Sequence, residues 1–196
     1  MNASHLLLDL AYSLALPPFY LWHRYIAKKY GPRLYEKLGY PPPRATAANG
    51  YAPPCLWLHA VSVGEALAAR PLVKGFADAH PDWDIRVSVT TATGRQVAEK
   101  HFGAERVFYY PFDASWMVNR ALDRIRPDFV VLMELEVWPN FVAAAAARHI
   151  PVVVANARLT ARSARRFRAA GEWGHRFLSL VSVSYTHLTL PTIYSV

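Results

Sequence analysis

The chain has 196 residues, 53% hydrophobic and 18% charged, which suits a folded domain with a sizeable core and excludes a disordered chain. Lysine and arginine number 22 against 14 aspartates and glutamates. The formal net charge of +8 favours an acidic partner: nucleic acid, anionic headgroups or a phosphorylated substrate. The single cysteine, Cys55, excludes an internal disulfide and fits a reducing compartment. It opens an apolar run and reads as a small core residue.

In chain order, HLLLDLAYSLALPPFYLW (5–22) comes first, apolar but for Asp9 and broken by Pro17-Pro18. At roughly 18 residues it sits at the lower edge for a bilayer span. No basic residue precedes its apolar run, and it has no small-residue cleavage site, so it does not read as a secretory signal. His23, Arg24, Lys28, Lys29 and Arg33 follow, and positive charge there points to the cytoplasmic side. Residues 1–38 are therefore expected to form a membrane-anchor helix, monotopic or barely spanning and kinked at the prolines, with a basic juxtamembrane segment. The alternative is a helix packed on the domain. Residues 39–54, GYPPPRATAANGYAPP, are expected to be a Pro-rich linker without helix.

From Cys55 to residue 181 apolar runs alternate with helical spacing. Strands are expected over 55–61, 85–91, 106–111, 128–134 and 151–157. Helices are expected over 64–79, 94–102, 115–125, 138–149 and 158–180. Strand followed by helix at this spacing implies βαβ units and an α/β, Rossmann-like parallel sheet. Such sheets place chemistry at the carboxyl ends of their strands. The polar residues there are Ser62 and Glu65, Thr90 to Thr93, Asp113, Glu134 and Glu136, and Asn156 with Arg158. The final stretch SVSYTHLTLPTIYSV (182–196) carries no charge, fits no βα unit and is expected to be a non-native tail.

Ser62-Val63-Gly64-Glu65 has the spacing of a capping box, in which Ser62 takes an orphan N–H and Glu65 reaches back to the serine N–H. A purely structural role is one reading. A general base at the end of the first strand is the other. Gly64, a poor helix former in a first turn, suggests close approach by a chain or ligand. Glu134 and Glu136 end the fourth strand, and alternation would point both to one face. Their plain reading is acids suited to the start of a helix. TTATG (90–94) is a threonine-rich turn opening a helix, but no phosphate-loop or dinucleotide motif occurs. The eight histidines show no metal-ligand spacing, so no metal is expected. Arg158, Arg162, Arg165, Arg166 and Arg168 make a basic face that suits a phosphorylated lipid. No nucleic-acid motif accompanies them, so nucleic acid is not the expected partner.

Four segments together, LWLHAVSVGEALAARPLV (56–73), YYPFDAS (109–115), MELEVWPN (133–140) and IPVVVANARLTARS (150–163), resemble the 3-deoxy-D-manno-octulosonic acid (Kdo) transferase family. The resemblance implies the amino-terminal, acceptor-binding half of a GT-B glycosyltransferase at the cytoplasmic face of the inner membrane. It implies Kdo transfer from CMP-Kdo to the lipid A precursor (lipid IVA) in lipopolysaccharide synthesis, with inversion and without cofactor or metal. Glu65 would be the general base and Glu134 would support the transition state. Ser62, Gly64, Glu136, Asn156 and Arg158 would line the acceptor site. Leu135 departs from the family pattern, which has threonine there. No second half follows residue 181, so the chain is expected to be a truncated piece, inactive alone. A GT-B enzyme for another sugar, or a non-catalytic membrane-tethered module binding anionic lipid, are the alternatives.

Overall fold

The structure, a computed structural model, describes residues 3–22, 33–44, 52–134, 138–155 and 182–183. Six strands lie in one parallel sheet: β1 (Cys55–Ala60), β2 (Asp84–Val89), β3 (Val107–Tyr109), β4 (Phe129–Leu132), β5 (Val152–Val154) and β6 (Ser182–Val183). Their spatial order is β3-β2-β1-β4-β5-β6. The helices are α1 (Ala3–Trp22), α2 (Leu34–Lys37), α3 (Val63–Ala68), α4 (Arg70–Ala79), α5 (Ala92–Phe102), α6 (Ser115–Ile125) and α7 (Pro139–Ala147). The expected parallel α/β sheet is present, with each of the first five strands within a few residues of its expected place.

Strand alternation splits the core into two layers. Cys55 and Trp57 of β1 pack with Phe108, Val118, Leu122 and Phe141, beneath α6 and α7. Leu56, Leu58 and Ala60 pack on the other face with Ala66, Val73, Ala98 and Phe102 of α3, α4 and α5. Burying a ring such as Trp57 or Phe141 completely stabilises by about 2–3 kcal/mol. The chain thus winds to one side of β1 through β2 and β3, then returns on the other face through β4 and β5. The winding reverses between β1 and β4, where a doubly wound sheet opens its ligand crevice.

Three features differ from expectation. The helix expected over 64–79 is two, α3 and α4, meeting at Ala69. Pro71 lies in the first turn of α4, where its missing N–H is tolerated but cannot continue α3. The sheet continues into Ser182 and Val183, which pair with β5 two residues beyond the expected end of the domain. The folded body also reaches back before Cys55. Glu36 of α2 is buried, accepts the Tyr109 N–H at 2.7 Å and pairs with Arg95 at 2.5 Å. Gly39, at φ +86°, crosses α6 so closely that a Cβ would collide with the Met117 backbone. Residues 40–44 are strapped down rather than free: Arg124 donates to the Pro41 carbonyl and Arg86 to that of Pro42. Arg44 is buried against Asp84 and the carbonyls of Ile125 and Arg126. The expected amino-terminal helix is present as α1, with Pro17 and Pro18 inside it. Among the described residues no helix is long and apolar enough to cross a membrane.

Candidate active site on the sheet rim

The loops leaving β1 and β4 flank the reversal point. The backbone of Met133 donates to the His59 carbonyl at 2.9 Å, so the two strands stay paired up to the rim. Ser62 is the N-cap of α3 in extended conformation, and its hydroxyl oxygen accepts the Glu65 N–H at 3.3 Å. Glu65 Oε1 accepts from the Ser62 hydroxyl at 2.8 Å, and Oε2 accepts the Val61 N–H at 2.7 Å. The capping box therefore forms, with the carboxylate reaching Val61 rather than the Ser62 N–H that sequence pattern suggests. Glu65 is 8% exposed. A buried carboxylate held by two donors has one orientation, and each oxygen retains a lone pair for a further proton.

At Gly64 the described chain leaves room. A Cβ there would come no closer than 3.9 Å to anything, the Ser62 hydroxyl, so no part of the described chain crowds it. The crowded glycine is Gly94 in the first turn of α5. A Cβ there would stand 2.9 Å from Thr91 Oγ1 and 3.8 Å from the Val61 carbonyl oxygen. Thr91 caps α5 by accepting the Gly94 N–H at 3.0 Å. The TTATG turn thus brings α5 against the Val61–Ser62 loop and buttresses the rim from behind.

Glu134 is exposed at the end of β4, on the strand next to the one that leads to Glu65. Glu136, Asn156, Arg158 and the arginines beyond it lie outside the described residues. So do the helix expected over 158–180 and the tail after Val183. Asp113 is buried and closes the amino end of α7, accepting the Asn140 N–H at 3.0 Å and the Phe141 N–H at 2.9 Å. Trp138, the residue preceding α7, caps nothing with its side chain.

Sequence reasoning missed His59. It is fully buried, stacked on Tyr110 with ring centroids 3.9 Å apart, and edge-on to Trp138 at 6.4 Å. Its Nδ1 meets Ser88 Oγ at 2.9 Å, and the same Oγ accepts from Trp57 Nε1 at 2.7 Å. Burial pushes the imidazole down to about 3, with the nearby Lys37 charge adding to it and the Ser88 carbonyl opposing, so His59 is neutral near pH 7. The apolar neighbours of His59 in the sequence were its one signal: a polar residue inside a both-face-buried strand must be paired internally. A groove of about 510 Å³ between α4 and the end of α5 is lined by Val73 and Phe102 among others and includes none of these site residues.

An α/β sheet with a fixed, buried glutamate at its reversal point has the architecture of an enzyme that handles a ligand at the rim. Comparison with known proteins makes this specific. Residues 32–188 match the family described as 3-deoxy-D-manno-octulosonic-acid transferase (kdotransferase), and the chain belongs to that family, whose members are glycosyltransferases. It is 36% identical to the 3-deoxy-D-manno-octulosonic acid transferase of Haemophilus influenzae, over 72% of this chain and 31% of that protein. It is 37% identical to the transferase of the same name from Bordetella pertussis, over 79% of this chain and 38% of that protein. With the Chlamydophila psittaci protein it shares 30% identity, over 87% of this chain and 39% of that protein. The chain thus spans between about three and four tenths of the length of these relatives.

Proposed function

We propose that this chain is the acceptor-binding half of a GT-B Kdo transferase that moves Kdo from CMP-Kdo to the lipid A precursor. The observation that carries the reading is Glu65: a buried carboxylate, oriented by Val61 and Ser62, at the end of β1 beside the crevice. In the proposed reaction a carboxylate oxygen of Glu65 takes the proton of an acceptor sugar hydroxyl. The freed oxygen forms a bond to the anomeric carbon of Kdo while the bond to CMP breaks, and the centre inverts. Glu134, exposed at the end of the neighbouring strand, supports the transition state in this reading. Ser62 and Gly64 meet the acceptor at the open first turn of α3, and Glu136, Asn156 and Arg158 are the further acceptor-binding residues of this reading.

The proposed location is the cytoplasmic face of the inner membrane, with α1 lying in the interface. Its support is the outward row Leu6, Leu7, Leu10, Leu14 and Leu21, each more than half exposed. A chimera joining this chain to the carboxyl-terminal part of the Bordetella pertussis relative tests the function. The expected result is Kdo transfer from CMP-Kdo to lipid A precursor in mixed micelles. A folded chimera that binds the precursor but transfers nothing would favour a non-catalytic lipid-binding module instead.

A further inference from the structure

α1 carries apolar side chains on both its exposed and its inner side. Leu6, Leu7, Leu10, Leu14 and Leu21 are exposed, while Leu8, Asp9, Tyr12, Leu16 and Phe19 form the half-buried side. Those inner positions recur at helical spacing, so one face of α1 is turned to the domain. Phe19 meets Phe112 edge-on, with ring centroids 5.9 Å apart. Burial, together with the charge of Asp113, raises the Tyr12 hydroxyl above its ordinary range.

An acid on that face must find donors. Asp9 Oδ1 accepts the Ser115 N–H at 2.7 Å, and Oδ2 accepts the Ser115 hydroxyl. Ser115 is the first residue of α6, whose own N-cap, Ala114, has no side chain able to cap. Asp9 therefore caps α6 from 106 positions away in the sequence. The Asn140 amide nitrogen lies 3.5 Å from Asp9 Oδ1 and donates to the Asp113 carbonyl. Asp113 in turn caps α7. Two helix amino ends, each carrying roughly half a positive charge, thus converge on two carboxylates. Asn140 bridges the pair, and it stands directly after Trp138 and Pro139 beside the rim.

We propose that Asp9 is a positioning residue of the rim: its carboxylate locks the amino ends of α6 and α7 together and so sets where Trp138 and Asn140 stand beside β4. This holds whichever acceptor the rim takes. α1 is then part of the site's frame as well as an apolar surface.

The test uses the full chain, labelled with 5-fluorotryptophan, in mild detergent. Asp9→Ala is expected to shift the fluorine resonance of Trp138 and leave that of Trp83, packed with Phe76 and His80 on the other face of the sheet, in place. Exchange of the Asn140 and Phe141 amides should quicken about tenfold, as loss of roughly one hydrogen bond predicts. Asp9→Asn, which keeps an oxygen for the Ser115 N–H, should restore most of both signals. If Asp9→Ala does not fold, Ser115→Ala decides: a shifted Trp138 resonance upholds the proposal, and an unmoved one overturns it. A changed Ser115 amide with Trp138 and Asn140 unmoved would also overturn it, leaving Asp9 a cap for α6 alone.

Discussion

The two ends of the rim are held by different means. At the end of β1 the support is local: Ser62, Val61 and Glu65 satisfy one another within five positions of sequence. At the amino ends of α6 and α7 it is remote: Ala114 and Trp138 cap nothing, and Asp9 and Asp113 reach in from other elements. A local cap survives small shifts of the domain because its parts move together. A remote cap ties separate elements into one frame, and it fails as a unit.

The largest expected contrast is therefore between caps. Asp113→Ala leaves two buried N–H groups of α7 without their acceptor and should cost about 2–4 kcal/mol in urea unfolding. Ser62→Ala removes one local cap and should cost about 1 kcal/mol. Equal losses would erase the distinction between the two ends.

His59 sharpens the comparison by pH. Its folded value, near 3, lies below the ordinary value of 6.5, so between these the unfolded chain binds a proton that the folded chain does not. Its contribution to stability is complete above about pH 6.5 and is lost as pH falls towards 3. His59→Gln should flatten the stability–pH slope across that window by about one proton. An unchanged slope would mean that other groups govern acid unfolding.

The glycines give a smaller effect. Gly94→Ala must push Thr91 from its capping position and should cost about 1–2 kcal/mol. Gly64→Ala meets open space and should change stability by less than about 0.5 kcal/mol. Any loss of acceptor binding in Gly64→Ala would then report on the ligand rather than the fold. The smallest signal is chemical. Burial, the dominant cause, pushes the Cys55 thiol up to about 12, so native protein at pH 8 should resist a thiol reagent that labels it readily in urea. Rapid native labelling would place Cys55 outside the core.

What the sequence made legible follows the same division. The strand–helix alternation, the parallel sheet and the S-x-x-E box are local patterns, and each appears where its residues predict it. The roles of Asp9, Glu36 and Arg44 were hidden because each acts on residues dozens of positions away. In the sequence Asp9 reads only as an acid interrupting an apolar run, and the Pro-rich stretch containing Arg44 only as a linker. His59 stood in plain view inside a strand. Only the packed structure shows that Ser88, Tyr110 and Trp138 surround it. The close approach of Gly94 to the Val61–Ser62 loop has no signal in the sequence, since composition cannot say which turn meets a neighbour.

The central claim is that Glu65 serves twice, as the anchor of its turn and as the base. The direct measurement is the rate of Kdo transfer by the Glu65→Gln form of the chimera described above, at saturating acceptor. The amide can still accept the Val61 N–H, so unfolding should shift by less than about 1 kcal/mol. Transfer should fall by about 10²–10⁴-fold, the usual worth of a positioned base. Transfer within a few fold of the unsubstituted chimera would contradict the claim and leave Glu65 a cap only.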